Sequence, residues 1–163
     1  MTDAAQTNNQ PAYSIEKIYV KDLSLEVPNA PQIFLEREAP TVDVQLHHES
    51  KSVDEGIYQT ELTLTVTAKV GEKTMFLVEA CQAGIFGIRN VPATDLESVL
   101  GISNPNILYP YARETISSAI VNAGFPPVIL NPVNFEALFQ AAKEQMAQQQ
   151  AAPAAQPAPA VTH

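Results

Sequence analysis

The sequence is poor in positive charge and has a single cysteine. Nine Lys and Arg residues stand against eighteen Asp and Glu residues, which gives a formal net charge of −9. A chain of this charge is on average repelled by a nucleic-acid backbone or an anionic membrane, and it attracts a positively charged protein. The only thiol, Cys81, cannot form an internal disulfide. The composition therefore argues against nucleic-acid partners and against a disulfide-stabilised fold.

Long apolar runs are also absent. No segment approaches the roughly 20 apolar residues that span a bilayer, and the N-terminus lacks the basic and then apolar pattern of a signal peptide. These absences predict no direct membrane insertion and a protein that stays in the cytoplasm. The 163 residues, of which 45% are hydrophobic, nevertheless supply enough apolar surface for the core of one domain.

Motifs for catalysis or metal binding are missing as well. His47 and His48 are adjacent, so on a strand they point to opposite faces and cannot share a metal ion. Cys81 has no basic neighbour along its strand that would activate the thiol. Arg113 and Glu114 fit a surface ion pair better than a catalytic pair. We therefore expect neither an enzyme nor a bound metal or cofactor.

Both ends of the chain differ in composition from its middle. Residues 1–12 are polar and lack the apolar side chains that would compensate for the entropy of ordering, so we expect a flexible lead. Residues 147–163 change from glutamines to an Ala/Pro alternation, which favours an extended and flexible tail. We therefore expect residues 13–146 to form a single folded domain.

The middle of the chain has an α+β order. The hydrophobic period changes from two to about 3.6 near residue 94, which predicts strands first and helices second. The first strand, residues 13–27, needs a β-bulge near Lys21 or Asp22, because Ile18 and Val20 otherwise share a face with acidic residues.

The next strands are predicted to follow one another closely. The second runs through Val42, Val44 and Leu46, the third spans residues 57–70, and a tight turn at Gly71 leads into the fourth. The third strand is apolar on one alternation only, whereas the fourth, within "GEKTMFLVEACQAGIF", is apolar on both. The second apolar face of the fourth strand therefore needs a covering element or a partner.

Three helical segments complete the predicted domain. A short one starts at Thr94 or Asp95 and ends at Gly101. The main helix is predicted from about Pro110 to Gly124, because proline is tolerated in a first turn. The last helix is predicted to open with Asn131 as its cap and Pro132 at its first position.

One candidate binding surface lies on the sheet. Asp22, Glu26 and Glu79 fall on outward alternations, and Leu77 lies on the same alternation as Glu79. Composition alone favours an ordinary solvated face. A docking face for a partner stays open as the alternative.

A second candidate surface is the crossover loop, residues 28–40, which faces an aromatic helix. Spacing suggests contact of Phe34 with Phe135 or Phe139, and it favours a core over a binding groove without excluding the groove. The apolar side chains concerned are Ile33, Phe34 and Leu35 in the loop and Phe135, Leu138 and Phe139 in the helix.

Three separated segments resemble one family. The run "PNILYPYARETISSAIVNAGFPPVILNPVNFEALF", residues 105–139, resembles the most characteristic part of SecB, the bacterial export chaperone. The segments "YVKDLSLEVPNAPQIF" and "FLVEACQAGIFGI" are similar to the first and fourth strands of that family. The resemblance extends over about residues 13–146, and its motifs occur in the order of the family.

The resemblance implies a fold and a function. The fold is a four-stranded antiparallel sheet followed by helices packed on one face, and it assembles as a homotetramer, a dimer of dimers, with helices between two sheets. The function is that of an ATP-independent holdase. It binds unfolded precursor proteins in the cytoplasm, keeps them competent for translocation and delivers them to the SecA ATPase.

The resemblance also implies roles for particular residues. The acidic sheet face docks SecA, and the opposite alternation of the fourth strand is implicated in tetramer assembly. The crossover loop and the last helix are then expected to line a groove for unfolded clients, since such capture needs adaptable apolar surface. The matching positions are Asp22, Glu26, Leu77 and Glu79 for SecA, Ile33, Phe34, Leu35, Phe135, Leu138 and Phe139 for clients, and Val78, Ala80 and Gln82 for the tetramer interface.

The sequence departs from the family pattern at two places. Glu38 stands where some members have a Trp, and the tail from Ala151 lacks the acidic residues that can add a second SecA contact. The nearest alternative is a SecB-like chaperone of a toxin–antitoxin system. A small-ligand-binding or enzymatic α+β protein is the more distant one.

Overall fold

The computed structural model of the protein describes residues 9–151. The strands are β1, Ala12–Glu26, β2, Thr41–Asp54, β3, Ile57–Val70, and β4, Lys73–Arg89. They form one antiparallel sheet in the order β1-β4-β3-β2, so β4 and β3 are central and β1 and β2 are the edges. The predicted turn at Gly71 is present, with a φ of +57° that favours glycine. The strands therefore confirm the order predicted from the hydrophobic period.

The bulge expected in β1 is present. The register of β1 against β4 shifts between Val20 and Asp22, which leaves Lys21 outside the ladder. Val20 pairs with Gln82 and Leu23 pairs with Ala80, so side chains before and after the shift reach the same face of the sheet. The bulge thus resolves the conflict in alternation that the sequence contains.

The helical half is more continuous than its sequence suggests. The helices are α1, Ala93–Ser98, α2, Asn104–Asn122, and α3, Phe135–Ala151. A π-helical turn, Val99–Ser103, joins α1 to α2, so Gly101 does not end a helix. The prediction that α2 begins near Pro110 is wrong. Pro105 already occupies the first turn, and Pro110 is tolerated inside the helix because it lies on the exposed side, where water reaches the carbonyl that its ring leaves unbonded.

The start of α3 also differs from the prediction. The Oδ1 atom of Asn134 accepts a hydrogen bond from the N–H of Ala137 at 3.0 Å, so Asn134 rather than Asn131 is the cap. The backbone carbonyl of Asn131 instead accepts the hydroxyl of Tyr109, which ties the linker before α3 to α2. Because α3 continues to Ala151, the first residues of the predicted flexible tail are helical. The rest of that tail, and residues 1–8 of the predicted lead, lie outside the described residues.

The core lies between the sheet and α2. The helix crosses β4 and β3 and buries an apolar stripe at helical spacing, with Ala112, Ile116 and Ile120 fully covered. Each complete burial of an isoleucine contributes roughly 1.5–3 kcal/mol, so this stripe is a main source of the stability of α2. The sheet residues of the same core include Leu62, Leu64, Val66, Val78, Ala80 and Phe86.

The fold itself covers the three positions predicted for the tetramer interface. Val78, Ala80 and Gln82 are all buried within one chain. The hydroxyl of Thr115 on α2 donates to the Oε1 atom of Gln82 at 3.3 Å. Val78 and Ala80 are fully covered by the same chain, whereas Gln82 also lines a surface hollow with Val20 and Tyr111. The role of these three positions in tetramer assembly stays a prediction.

Candidate partner-binding surfaces

The sheet face opposite α2 brings together the four residues predicted to bind SecA. The register of β1 against β4 sets Glu26 opposite Leu77 and Asp22 opposite Cys81. Glu79 follows Leu77 by two residues on β4 and so shares its face. Asp22 and Glu26 are exposed, and Leu77 and Glu79 are partly exposed. We call Asp22, Glu26, Leu77 and Glu79 the acidic patch.

A buried carboxylate on the same face binds the neighbouring lysines. The Oε1 atom of Glu61 on β3 lies 2.6 Å from the Nζ atom of Lys21 and 3.7 Å from that of Lys51. The hydrogen bond from Lys21 lowers the pKa of Glu61 against the effect of its burial, and the same bond raises the pKa of Lys21. Because both lysines are paired, they offset the acidic patch less than free lysines would. The sequence did not reveal this cluster, since β4 separates β1 from β3.

The described residues contain no constellation for nucleophilic or metal chemistry. Burial raises the pKa of the Cys81 thiol, which is opposite to what a reactive cysteine requires. Within residues 9–151, no group of three His, Cys, Asp or Glu side chains could hold a metal ion. None of the helices in this part of the chain is long and apolar enough to cross a membrane.

The first apolar cleft lies between the crossover loop and the linker after α2, and we call it the crossover cleft. It has a volume of about 450 Å³. Phe34 is 49% exposed, and its ring stacks on that of Phe125 with centroids 5.0 Å apart. The ring of Phe125 in turn lies 5.1 Å from that of Phe76 on β4. A row of aromatic rings therefore leads from the core to the surface, and its outer ring is open to a further apolar side chain.

The second and larger cleft, of about 700 Å³, lies between β2, the π-helical turn and α3, and we call it the α3 cleft. Phe139 of α3 rests on the backbone of the turn, because a Cβ atom at Gly101 would lie 2.5 Å from its ring. Lys143 bonds Glu97 at 3.1 Å, but such an exposed pair contributes only about 0–1 kcal/mol. Apolar residues of the lining are Leu46, Leu100, Leu138, Phe139, Ala142 and Met146.

The client groove predicted from the sequence is thus divided into two clefts. The expected contact of Phe34 with Phe135 or Phe139 is wrong, because the loop meets the linker after α2 whereas α3 meets β2 and the π-helical turn. Ile33 and Phe135 are 2% exposed and belong to the core. Leu35, by contrast, is 75% exposed. The accessible members of the predicted set are Phe34, Leu35, Leu138 and Phe139.

Phe125 is the main cleft residue that the sequence did not identify. It follows Gly124, which has a φ of +91° and lies just after the end of α2. An aromatic residue directly after a helix-ending glycine is a signal for a packed linker, because the hydrophobic contact next to such a glycine commonly closes a helix. That signal was present in the sequence but does not by itself distinguish a core residue from a cleft residue.

His48 of β2 provides a test of the α3 cleft through its pH dependence. Its ring lies edge-on to Phe135 with centroids 6.2 Å apart, and burial, followed by the neighbouring His47, lowers its pKa. A histidine whose pKa is lower in the folded state contributes stability that is present above its unfolded pKa of about 6.5 and is lost as the pH falls towards the folded value. We therefore expect stability to decline from about pH 7 to pH 5, and to decline less in His48→Gln.

Urea unfolding at a fixed protein concentration across this pH range measures the effect. His47→Gln removes the exposed imidazole on the other alternation of the same strand and should reduce the decline by less than His48→Gln, because His47 is the smaller of the two causes that lower the pKa of His48. If the stabilities of the wild type and of His48→Gln changed in parallel with pH, the assignment of a lowered pKa to His48 in the folded state would be wrong.

The sheet with one helix-covered face, the two open apolar clefts and the acidic patch together define an α+β protein whose exposed surfaces are suited to binding a partner. Residues 6–146 match the family model described as preprotein translocase subunit SecB. The chain belongs to the SecB family of protein-export chaperones.

Curated relatives are similar over most of their lengths. A protein-export protein SecB from Methylobacillus flagellatus is 58% identical over 144 residues, which are 88% of this chain and 92% of the relative. The same protein from Nitrosospira multiformis is 56% identical over 163 residues and all of both chains. That from Aromatoleum aromaticum is 62% identical over 142 residues, 86% of this chain and 89% of the relative.

A solved structure shares the fold. It is a SecB-like chaperone from Mycobacterium tuberculosis in complex with a peptide from the HigA1 antitoxin. The superposition has a TM-score of 0.63 at 15% identity and covers 74% of this chain and 90% of that chain. The four-stranded antiparallel sheet with helices on one face is therefore a SecB-like fold.

Proposed function

We propose that the protein is an ATP-independent holdase that binds unfolded precursor proteins in the cytoplasm, keeps them competent for translocation and delivers them to the SecA ATPase. Membership of the protein-export family supports this role. The observation that carries the client-binding part is the presence of two open apolar clefts on one chain.

The clefts suit an extended chain with apolar side chains at intervals. Each client Leu or Phe that becomes buried contributes roughly 1.5–3 kcal/mol, so a single cleft binds weakly. Two clefts on one protomer allow one client to occupy both, and the second contact then benefits from a high effective concentration. Met75 in one lining and Met146 in the other adapt to side chains of different shape. Folded proteins offer few such side chains, because these are buried in their cores.

The acidic patch is the proposed docking site for SecA. Glu26 and Glu79 lie beside the partly exposed Leu77, and Asp22 extends the negative charge towards Cys81, so Leu77 provides an apolar contact at one end of a negatively charged surface. Such an arrangement attracts a basic partner surface at long range and adds apolar contact at short range. The pairing of Lys21 and Lys51 with Glu61 supports this proposal, because it limits opposing positive charge on the same face.

We propose a dimer of dimers as the working assembly. The edge strand β1 supports this, because it exposes apolar side chains beyond what a solvated edge requires. Tyr13, Ile15, Val20 and Leu23 are each between 43% and 49% exposed. A role in a toxin–antitoxin system is less well supported, since the relatives at 56–62% identity are export proteins.

Light scattering of the purified protein, with and without a chemically unfolded precursor, tests the proposal. We expect the mass of four chains and suppression of precursor aggregation in the absence of ATP. The folded form of the same precursor is the control and should not bind. A monomer that leaves aggregation unchanged would refute the holdase function.

A further inference from the structure

A chain of hydrogen bonds, buried at its centre and partly buried at both ends, runs from the edge strand β1 to the wall of the α3 cleft. Asn104, the first residue of α2, is fully buried. Its Oδ1 atom accepts the hydroxyl of Tyr13 at 2.8 Å, and its Nδ2 atom donates to the Oγ1 atom of Thr60 at 2.9 Å. Thr60 Oγ1 lies 2.8 Å from Ser50 Oγ, which lies 3.4 Å from the carbonyl oxygen of Leu100. We call these five residues the polar chain.

The polar chain joins five separate elements of the fold, and the side chain of Asn104 lies at its centre. Tyr13, Asn104, Thr60 and Ser50 belong to β1, α2, β3 and β2, and Leu100 belongs to the π-helical turn. Polar groups persist in a core only where partners satisfy them. Apolar side chains of similar shape would fill the same space at little or no loss of stability, so directional hydrogen bonds here contribute fixed geometry more than net stability.

The end of the polar chain is part of the α3 cleft. Both Ser50 and Leu100 line that cleft. The residue after Leu100 is Gly101, whose bare backbone supports the ring of Phe139. Because the α3 cleft is bounded by β2 on one side and by the π-helical turn on another, the distance between these two elements sets its width. The lining of the crossover cleft, by contrast, includes no residue of the polar chain.

We propose that Asn104 is a positioning residue for client binding, which through Thr60 and Ser50 holds the π-helical turn against β2 and so fixes the width of the α3 cleft. The inference rests on the proposed function, because it takes the occupant of the cleft to be an apolar side chain of an unfolded client. Asn104 itself is buried and touches no client. Its effect is confined to one of the two clefts.

Two variants separate positioning from stability. Asn104→Leu leaves the buried hydroxyl of Thr60 and the partly buried hydroxyl of Tyr13 without their partner, so it is expected to lower both the midpoint of urea unfolding and client affinity. The combined variant Tyr13→Phe, Thr60→Val and Asn104→Leu replaces these hydrogen-bonding partners together by apolar groups. It is expected to regain the unfolding midpoint but not the affinity, because the hydroxyl of Ser50 then loses the Thr60 partner that orients its remaining bond to the carbonyl of Leu100.

The probe is a reduced and neutrally alkylated, permanently unfolded protein. Its affinity is measured in a Phe34→Ser background, which weakens the crossover cleft so that binding reports on the α3 cleft. We expect a loss of about tenfold in both Asn104 variants, the size of one lost partly buried apolar contact. Hydrogen exchange of the amides of Val99–Ser103 should be faster in both variants than in the Phe34→Ser parent.

The proposal would be overturned if Asn104→Leu bound the unfolded probe as tightly as the Phe34→Ser parent. It would also be overturned if the combined variant regained both its stability and its affinity for the probe. In either case Asn104 would have a structural role only. A wild-type protein that binds no unfolded probe would instead refute the client-binding function. In that case the hydrogen exchange of the π-helical turn still decides whether Asn104 holds it in place.

Discussion

Replacement of Phe34 and Phe139 together by serine is expected to weaken binding of an unfolded precursor about a hundredfold, and each single replacement about tenfold. Each ring is only partly buried, so its loss removes part of the roughly 1.5–3 kcal/mol of a full apolar contact, about one factor of ten in affinity. The rings lie in separate clefts, and their effects should therefore add as free energies. A single groove in which Phe34 touched Phe139 would produce coupled effects instead.

Fluorescence anisotropy with a labelled, alkylated precursor measures these affinities. Val53→Ser is the matched control, because Val53 is 49% exposed on β2 and lies outside both clefts. Light scattering should show the same assembly for all variants. Wild-type affinity in the double variant would refute the assignment of the clefts to clients, and strong non-additivity would refute their independence.

Reversal of charge at Asp22 and Glu26, both to lysine, is expected to abolish SecA binding at moderate salt. Glu26 lies opposite Leu77 and Asp22 lies opposite Cys81 on the same face, so the change replaces attraction of a basic partner by repulsion along the β1 side of the acidic patch. Like charges that face each other across an interface cost on the order of several kcal/mol, which is enough to abolish binding of micromolar affinity. The affinity of the wild type should itself fall as the salt concentration rises, since partly exposed charges are screened.

The matched control for this reversal is Asp54→Lys with Glu55→Lys. It changes the net charge equally but acts at the β2–β3 turn, at the end of the sheet remote from Leu77. Surface plasmon resonance against immobilised SecA distinguishes the two variants. Equal loss in both would indicate an effect of net charge only, and a complex that persists in the patch variant would refute the docking assignment.

Many elements of this fold could be predicted from the residues because the deciding interactions are local. The period of two, the turn glycine and the bulge in β1 each depend on near neighbours in the chain, and all three are present. The start of α2 was mispredicted because two prolines compete for the first turn. Whether Pro110 is tolerated inside a helix depends on its exposure, which the helix sequence does not specify.

The fourth strand, β4, shows what the local sequence pattern does not determine. Its alternation indicates two apolar faces but does not say what lies on either of them. In the folded chain, α2 covers Val78 and Ala80 completely, whereas Leu77 stays partly exposed in the acidic patch. Met75, Leu77 and Ile85 of β4 all stay partly exposed, and Leu77 is the one that lies among the carboxylates of the acidic patch, where we propose the docking site.

The residues proposed for the binding surfaces follow from the resemblance, but their grouping in space does not. Division of the client groove into two clefts depends on where the linker after α2 meets the crossover loop, and no periodicity relates those segments. Likewise, Tyr13 and Asn104 bond across 91 positions of the chain, and Lys21 and Glu61 across 40. Such contacts form only once the sheet order and the packing of α2 are established, because they join elements that are distant in the chain and become neighbours only on folding.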